Sequence, residues 1–98
     1  MTEYQVRATG IAWYRREDYA RLKKMFKDGR KLPDTFDKWL KDAQGIYDKL
    51  QSEGAIVEKA YIDPETFPEW CKKNGHQLDA AARMEYANRY VAEKYQTH

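Results

Sequence analysis

The chain has one cysteine, Cys71, and two histidines in 98 residues. A single thiol excludes an intrachain disulfide and a cysteine-rich metal site, and nothing in the sequence then demands an oxidising compartment. No apolar run approaches the roughly 20 residues that cross a bilayer. The N-terminal stretch carries Glu3 and Arg7 and lacks the apolar core of a secretory signal. The expectation is a cytoplasmic protein with no membrane partner. The five glycines are scattered, and Gly29 and Gly75 follow predicted helices instead of opening them, so no glycine-rich phosphate cradle is present. Charge of one sign is also scarce: the net value is +2, too small to define a partner.

Aromatic residues are plentiful. Three tryptophans, eight tyrosines and three phenylalanines supply most of the bulk available for a core. A chain of this length forms one domain, 1–98, and buries about 60–70 % of its unfolded surface.

Local patterning assigns the elements. Tyr4, Val6 and Ala8 alternate with Gln5, Arg7 and Thr9, which predicts a strand over 3–14 with Gly10 marking a bulge or bend. A helix over 16–28 carries the stripe Tyr19, Leu22 and Phe26, with Gly29 as a left-handed stop. After Pro33, Asp34 is placed to cap a second helix whose apolar face holds Phe36, Trp39, Leu40, Ala43, Tyr47 and Leu50. The β-branched run over 55–62 predicts the second strand. Asp63-Pro64 predicts a helix start, with Phe67, Trp70 and Cys71 on one face. Asp79 caps the last helix, whose stripe is Met84, Ala87, Val91 and Tyr95.

The two halves align. Ala12-Trp13-Tyr14 matches Ala60-Tyr61-Ile62, the loop at 27–32 matches 73–78 as Lys-x-Gly-x-x-Leu, and Asp34 falls on Asp79. The expected fold is α+β: two tandem strand–helix–loop–helix units, 12–51 and 60–96, related by a pseudo-two-fold axis, with four helices on a small antiparallel sheet. Trp39, Leu40, Tyr47, Phe67, Trp70, Met84 and Val91 are the expected shared core.

Chemistry-bearing groups are few. Cys71, His76 and Asp79 lie close in sequence, but each has a simpler employment as core residue, loop residue and helix cap. No catalytic residues, metal ligands or cofactor are assigned. Two surfaces remain. Between Arg15 and Lys31 stand eight basic residues and three acids, net +5, against −3 for the rest of the chain. Arg16, Lys23 and Lys27 fall on one helical stripe, which Arg30 and Lys31 prolong, while the pairs Glu17–Arg21 and Lys24–Asp28 offset each other. On the last helix Tyr86 and Tyr90 stand one turn apart, off the apolar stripe, as candidate interface aromatics. The leading expectation is a non-enzymatic protein-interaction or adaptor module, binding another protein or itself. The alternative is a nucleic-acid-binding protein that uses the basic first helix.

Overall fold

The computed structural model describes residues 8–95. In chain order the elements are β1 (Ala8–Trp13), α1 (Arg16–Met25), a 3-10 turn (Gly29–Lys31), α2 (Phe36–Ser52), β2 (Ile56–Tyr61), α3 (Phe67–Lys73) and α4 (Ala80–Lys94). The α+β class and the four helices are as expected. The sheet is not. β1 and β2 pair parallel, in a register that joins Ala8 to Ile56 and Trp13 to Tyr61. The expected antiparallel pairing is corrected.

The connection explains the direction. At 1.5 Å per residue α2 is about 25 Å long, slightly longer than a six-residue strand of roughly 20 Å. One pass along α2 therefore carries the chain back to the end where β1 began, and β2 starts there in the same sense.

Alternating strand residues point to opposite faces, and the two faces receive different helices. Trp13 meets Trp39 and Tyr47 of α2, with ring centroids 5.1 and 6.0 Å apart. Gly10 looks the other way, into α4. A Cβ there would lie 2.4 Å from the Ala87 carbonyl oxygen and 2.7 Å from Val91 Cγ2. Gly10 thus sits in a regular strand, not at a bulge, and is glycine because α4 crosses β1 at backbone distance. The sheet lies between α2 and α4.

The core gathers Trp13, Tyr14, Tyr19, Leu22, Phe26, Trp39, Ala43, Ile62, Phe67, Cys71 and Ala82. Of the expected core, Trp39, Phe67 and Val91 are buried, and Leu40, Tyr47 and Trp70 are half-buried against it. Met84 is 67 % exposed, which corrects its assignment. The buried line on α4 is Ala82, Arg83, Ala87 and Val91. Its middle members, Arg83 and Ala87, lie about 60–100° round the helix from Met84.

Several ends also differ. α1 stops at Met25, three residues early, because Phe26 turns extended (φ −75°, ψ 138°) to enter the core. Gly29 is not left-handed. It is buried in the 3-10 turn with its Cβ position only 1.8 Å from the Lys23 carbonyl oxygen, so the turn doubles back on α1 where no side chain fits. Thr35, not Asp34, caps α2, accepting from Lys38 N at 3.1 Å. Asp63 accepts from Glu65 N at 2.7 Å, but this organises a turn, and α3 begins only at Phe67. Asp79 caps α4 as expected, accepting from Ala82 N at 3.0 Å. Gly54 (φ 92°) and Gly75 (φ 70°) supply the left-handed residues after α2 and α3.

Candidate protein-docking pocket

α3 and α4 form an aromatic corner. α3 closes with Asn74 Nδ2 donating to the Trp70 carbonyl at 2.8 Å, and the left-handed Gly75 then lets His76 N donate back to the Cys71 carbonyl at 2.8 Å. The reversal lays the His76 ring on Trp70, 5.6 Å away and 2° from parallel. Phe67 covers the same indole at 5.9 Å and 9°. Tyr86 approaches edge-on, 5.6 Å from Phe67 and 5.2 Å from Trp70. Stacked and T-shaped contacts are the favourable arrangements of such quadrupoles, so the rings brace one another.

Arg89 finishes one wall. It donates to Glu85 Oε2 at 2.7 Å and to Asn74 Oδ1 at 2.6 Å, and its guanidinium lies 5.6 Å from the Trp70 centroid. Trp70, Tyr86, Arg89, Tyr90 and Glu93 enclose a recess of about 200 Å³. Burial, followed by Asp63, Tyr90 and Glu93, pushes the Tyr86 phenol above its ordinary value, so it remains a neutral hydrogen-bonding group at physiological pH. Tyr90 is exposed at the rim. Glu93 forms no ion pair among the described residues. The recess is smaller than the roughly 300–1,000 Å³ typical of cofactor and drug-sized ligand sites; its size suits one side chain.

The sequence singled out Tyr86 and Tyr90, and the structure brings both to this recess. Tyr86 also widens the core face, packing against the central cluster. Trp70 was read only as core, and Arg89 was not singled out. Their joint role depends on the chain reversal at Gly75, which no helical periodicity on α4 alone reveals.

The basic stripe does not assemble as expected. Arg16 pairs with Asp37 at 2.8 Å and lies 4.6 Å over the Phe36 ring. Lys23 stands 3.9 Å from Asp34. Lys27 lies beyond the end of α1 and bonds to Gln77. Arg30 and Lys31 sit on the 3-10 turn, where Arg30 lines an open recess of about 470 Å³ with Pro33, Asp34 and Lys38. Neither expected offsetting pair forms. Arg21 goes to Glu65 at 2.6 Å, and Asp28 goes to Arg83.

Arg83 is the functional-looking group that sequence reasoning missed. Its guanidinium donates to both Asp28 oxygens, lies 4.3 Å over the Phe26 ring and faces the Tyr14 hydroxyl. Its signal was present: an arginine on the same face of α4 as Ala87 and Val91 needs a buried partner.

Cys71, His76 and Asp79 are each engaged in local structure. Cys71 is buried, and burial first, then Asp79, pushes its thiol above the ordinary value. His76 stacks on Trp70, and Asp79 caps α4. Among the described residues no group of three His, Cys, Asp or Glu side chains is placed to hold a metal ion, and no helix is long and apolar enough to cross a membrane. The chain matches no protein-family model, no curated protein and no solved structure.

Proposed function

We propose that the chain is a non-enzymatic, cytoplasmic protein-interaction or adaptor module whose pocket between α3 and α4 receives one side chain of a partner protein. The observation that carries this reading is the lining itself. Trp70, Tyr86, Tyr90 and Arg89 around about 200 Å³ are the residue types that dominate binding energy at interfaces. Ring contacts of Trp70 with Phe67, His76, Tyr86 and Arg89 fix that wall before binding, which lowers the ordering cost of association. Glu93 at the rim selects the partner's chemistry. A peptide with a bulky apolar anchor beside a lysine or arginine fills the recess and pairs with the carboxylate.

Selection from a random displayed-peptide library tests this reading, with the wild-type domain and Tyr90→Ala as parallel baits. Tyr90 is exposed, so the variant keeps the fold. Peptides recovered on the wild type are expected to share an apolar anchor next to a basic residue and to lose about 30-fold or more in affinity on Tyr90→Ala, the scale of an interface hot spot. Peptides that bind both baits equally, or a library that yields none, would contradict the assignment.

The same reading treats 12–51 and 60–96 as two copies of one unit. It is supported by the recurring order strand, helix, helix.

A further inference from the structure

Among the described residues, the outer edge of β1 is bare. Ile62 N donates to the Trp13 carbonyl, so Thr9, Ile11 and Trp13 direct their backbone groups toward β2. The N–H and C=O groups of Ala8, Gly10 and Ala12 therefore point away from it. Among the described residues no strand pairs with that edge. Natural edge strands are guarded by lysine, proline or inward charge. β2 follows the rule, with Glu58 and Lys59 at its centre, whereas β1 reads Ala-Thr-Gly-Ile-Ala-Trp without a charge or a proline.

The exposed residues on the near flank of the helix beside this edge are uncharged. Ala80, Met84 and Asn88 follow one another at one-turn intervals on α4 and are all exposed, Met84 by 67 %. Ala80 and Met84 join Gly10, Ile11, Ala12, Ala87 and the Asp28-paired Arg83 around an open, mainly apolar recess of about 260 Å³. Farther round the helix the surface is charged, with Glu85, Arg89 and Glu93.

We infer that a second copy of this chain covers the β1 edge, pairing β1 with β1 antiparallel about a two-fold axis near Gly10. The proposal stands apart from the pocket described above. Three observations select this occupant. A two-fold axis normal to the sheet sets Gly10 opposite Gly10, Ala8 opposite Ala12 and Thr9 opposite Ile11, so no like charges meet, the usual obstacle to self-pairing. The same axis leaves both α4 helices on one face, and the uncharged Ala80–Met84–Asn88 flank of each then turns toward its counterpart, again without like charges. The five strand residues that this axis pairs, Ala8 to Ala12, alone fall short of the roughly 1,000 Å² that a stable interface covers. The recess at Ala80 and Met84 is apolar surface positioned to add to that area. The product is a four-stranded sheet, β2-β1-β1-β2, in place of two strands, which are marginal alone.

Sedimentation equilibrium of the full chain tests the inference, together with Ala12→Pro and Met84→Lys. Proline at residue 12 removes an outward N–H without touching a β1–β2 bond, and Met84 is exposed, so its variant folds even if the proline variant does not. The wild type is expected at twice the chain mass at micromolar concentration. Met84→Lys should weaken the dimer at least tenfold, Ala12→Pro should give a monomer of unchanged helicity, and Tyr90→Ala should leave the dimer intact. A wild type that remains monomeric at about 0.5 mM, well above a micromolar dissociation constant, would overturn the inference. So would a dimer indifferent to Met84→Lys. A monomer would leave the aromatic pocket, probed by its own variant, unaffected.

Discussion

Arg83 of α4 and Asp28 of the turn after α1 are 55 residues apart in sequence and share two charge-assisted hydrogen bonds, of 2.9 and 2.8 Å. Arg83 is the one buried charged side chain among the described residues. The bidentate pair fastens the second half of the chain to the first. It also satisfies a guanidinium that would otherwise be stranded between Phe26 and Tyr14.

Removing Asp28 leaves the Arg83 guanidinium buried and unpaired, whereas removing Arg83 leaves a half-buried carboxylate that still reaches water. Asp28→Ala should destabilise the domain by about 3–5 kcal/mol and Arg83→Ala by less, and the apolar double variant Arg83→Met with Asp28→Leu should cost less than Asp28→Ala. The Arg83 hydrogen bonds hold the Asp28 carboxyl below its ordinary value. A depressed carboxyl contributes stability above its unfolded-state value of about 3.9 and loses it as the pH falls through the folded-state value. Urea midpoints of the wild type should therefore drop more steeply below about pH 4 than those of Asp28→Asn. Parallel pH profiles would contradict the role given to the pair.

Tyr14 contributes to the alkaline limit. Burial, opposed in part by Arg83, pushes its phenol from 10.0 to about 12. The neutral form is the folded form, so its contribution is complete below pH 10 and is lost as the pH rises through about 12. The loss amounts to roughly 2–3 kcal/mol. Tyr14→Phe should flatten the stability profile in that window, as followed by denaturant melts. An unaltered profile would show that another group governs alkaline unfolding.

Gly29 and Gly10 are steric requirements. A methyl group at Gly29 lands 1.8 Å from the Lys23 carbonyl oxygen, against backbone that cannot swing aside, and one at Gly10 lands 2.4 Å from that of Ala87. Gly29→Ala should cost at least the upper end of the roughly 1–3 kcal/mol seen for overpacking. Gly10→Ala should lift α4 from β1, because the Ala87 carbonyl it meets is backbone and only the Val91 contact can be relieved by rotation. Melting temperatures equal to wild type would refute these placements.

These residues mark how far the sequence was legible. Periodicity located every helix and both strands, because burial of Tyr19, Leu22, Trp39 and Phe67 writes a repeat into each element. Asp79 was readable as a cap because its carboxylate serves its own helix. Relations between distant elements left weaker traces. Gly10 and Gly29 look like local punctuation, yet each is dictated by backbone far from its own turn or in the preceding helix. Parallel and antiparallel pairing use the same strand pattern, and only the length of α2 as a return path decides between them. For the pocket, Tyr86 and Tyr90 were visible as surplus aromatics, whereas Trp70 and Arg89 join them only through the reversal at Gly75.

Nucleic-acid binding by the basic segment is a distinct reading with a distinct signature. Three to five phosphate contacts on duplex DNA give a log K against log salt slope of about −3 to −4. With Arg16 and Lys23 facing acids and Lys27 on Gln77, weak retention without such a slope is expected. A slope in that range, abolished by Lys23→Glu with Lys27→Glu, would make the segment the principal interface.

Site-specific photocrosslinking in living cells interrogates the recess between α3 and α4 most directly. A photoreactive phenylalanine analogue in place of Tyr90 is compared with the same analogue in place of Ile46, which is also exposed. Discrete conjugates with another protein at Tyr90, absent at Ile46 and lost when Arg89→Glu is added, are the expected result. No conjugate at Tyr90, or the same conjugates at both positions, would contradict a docking role for the pocket.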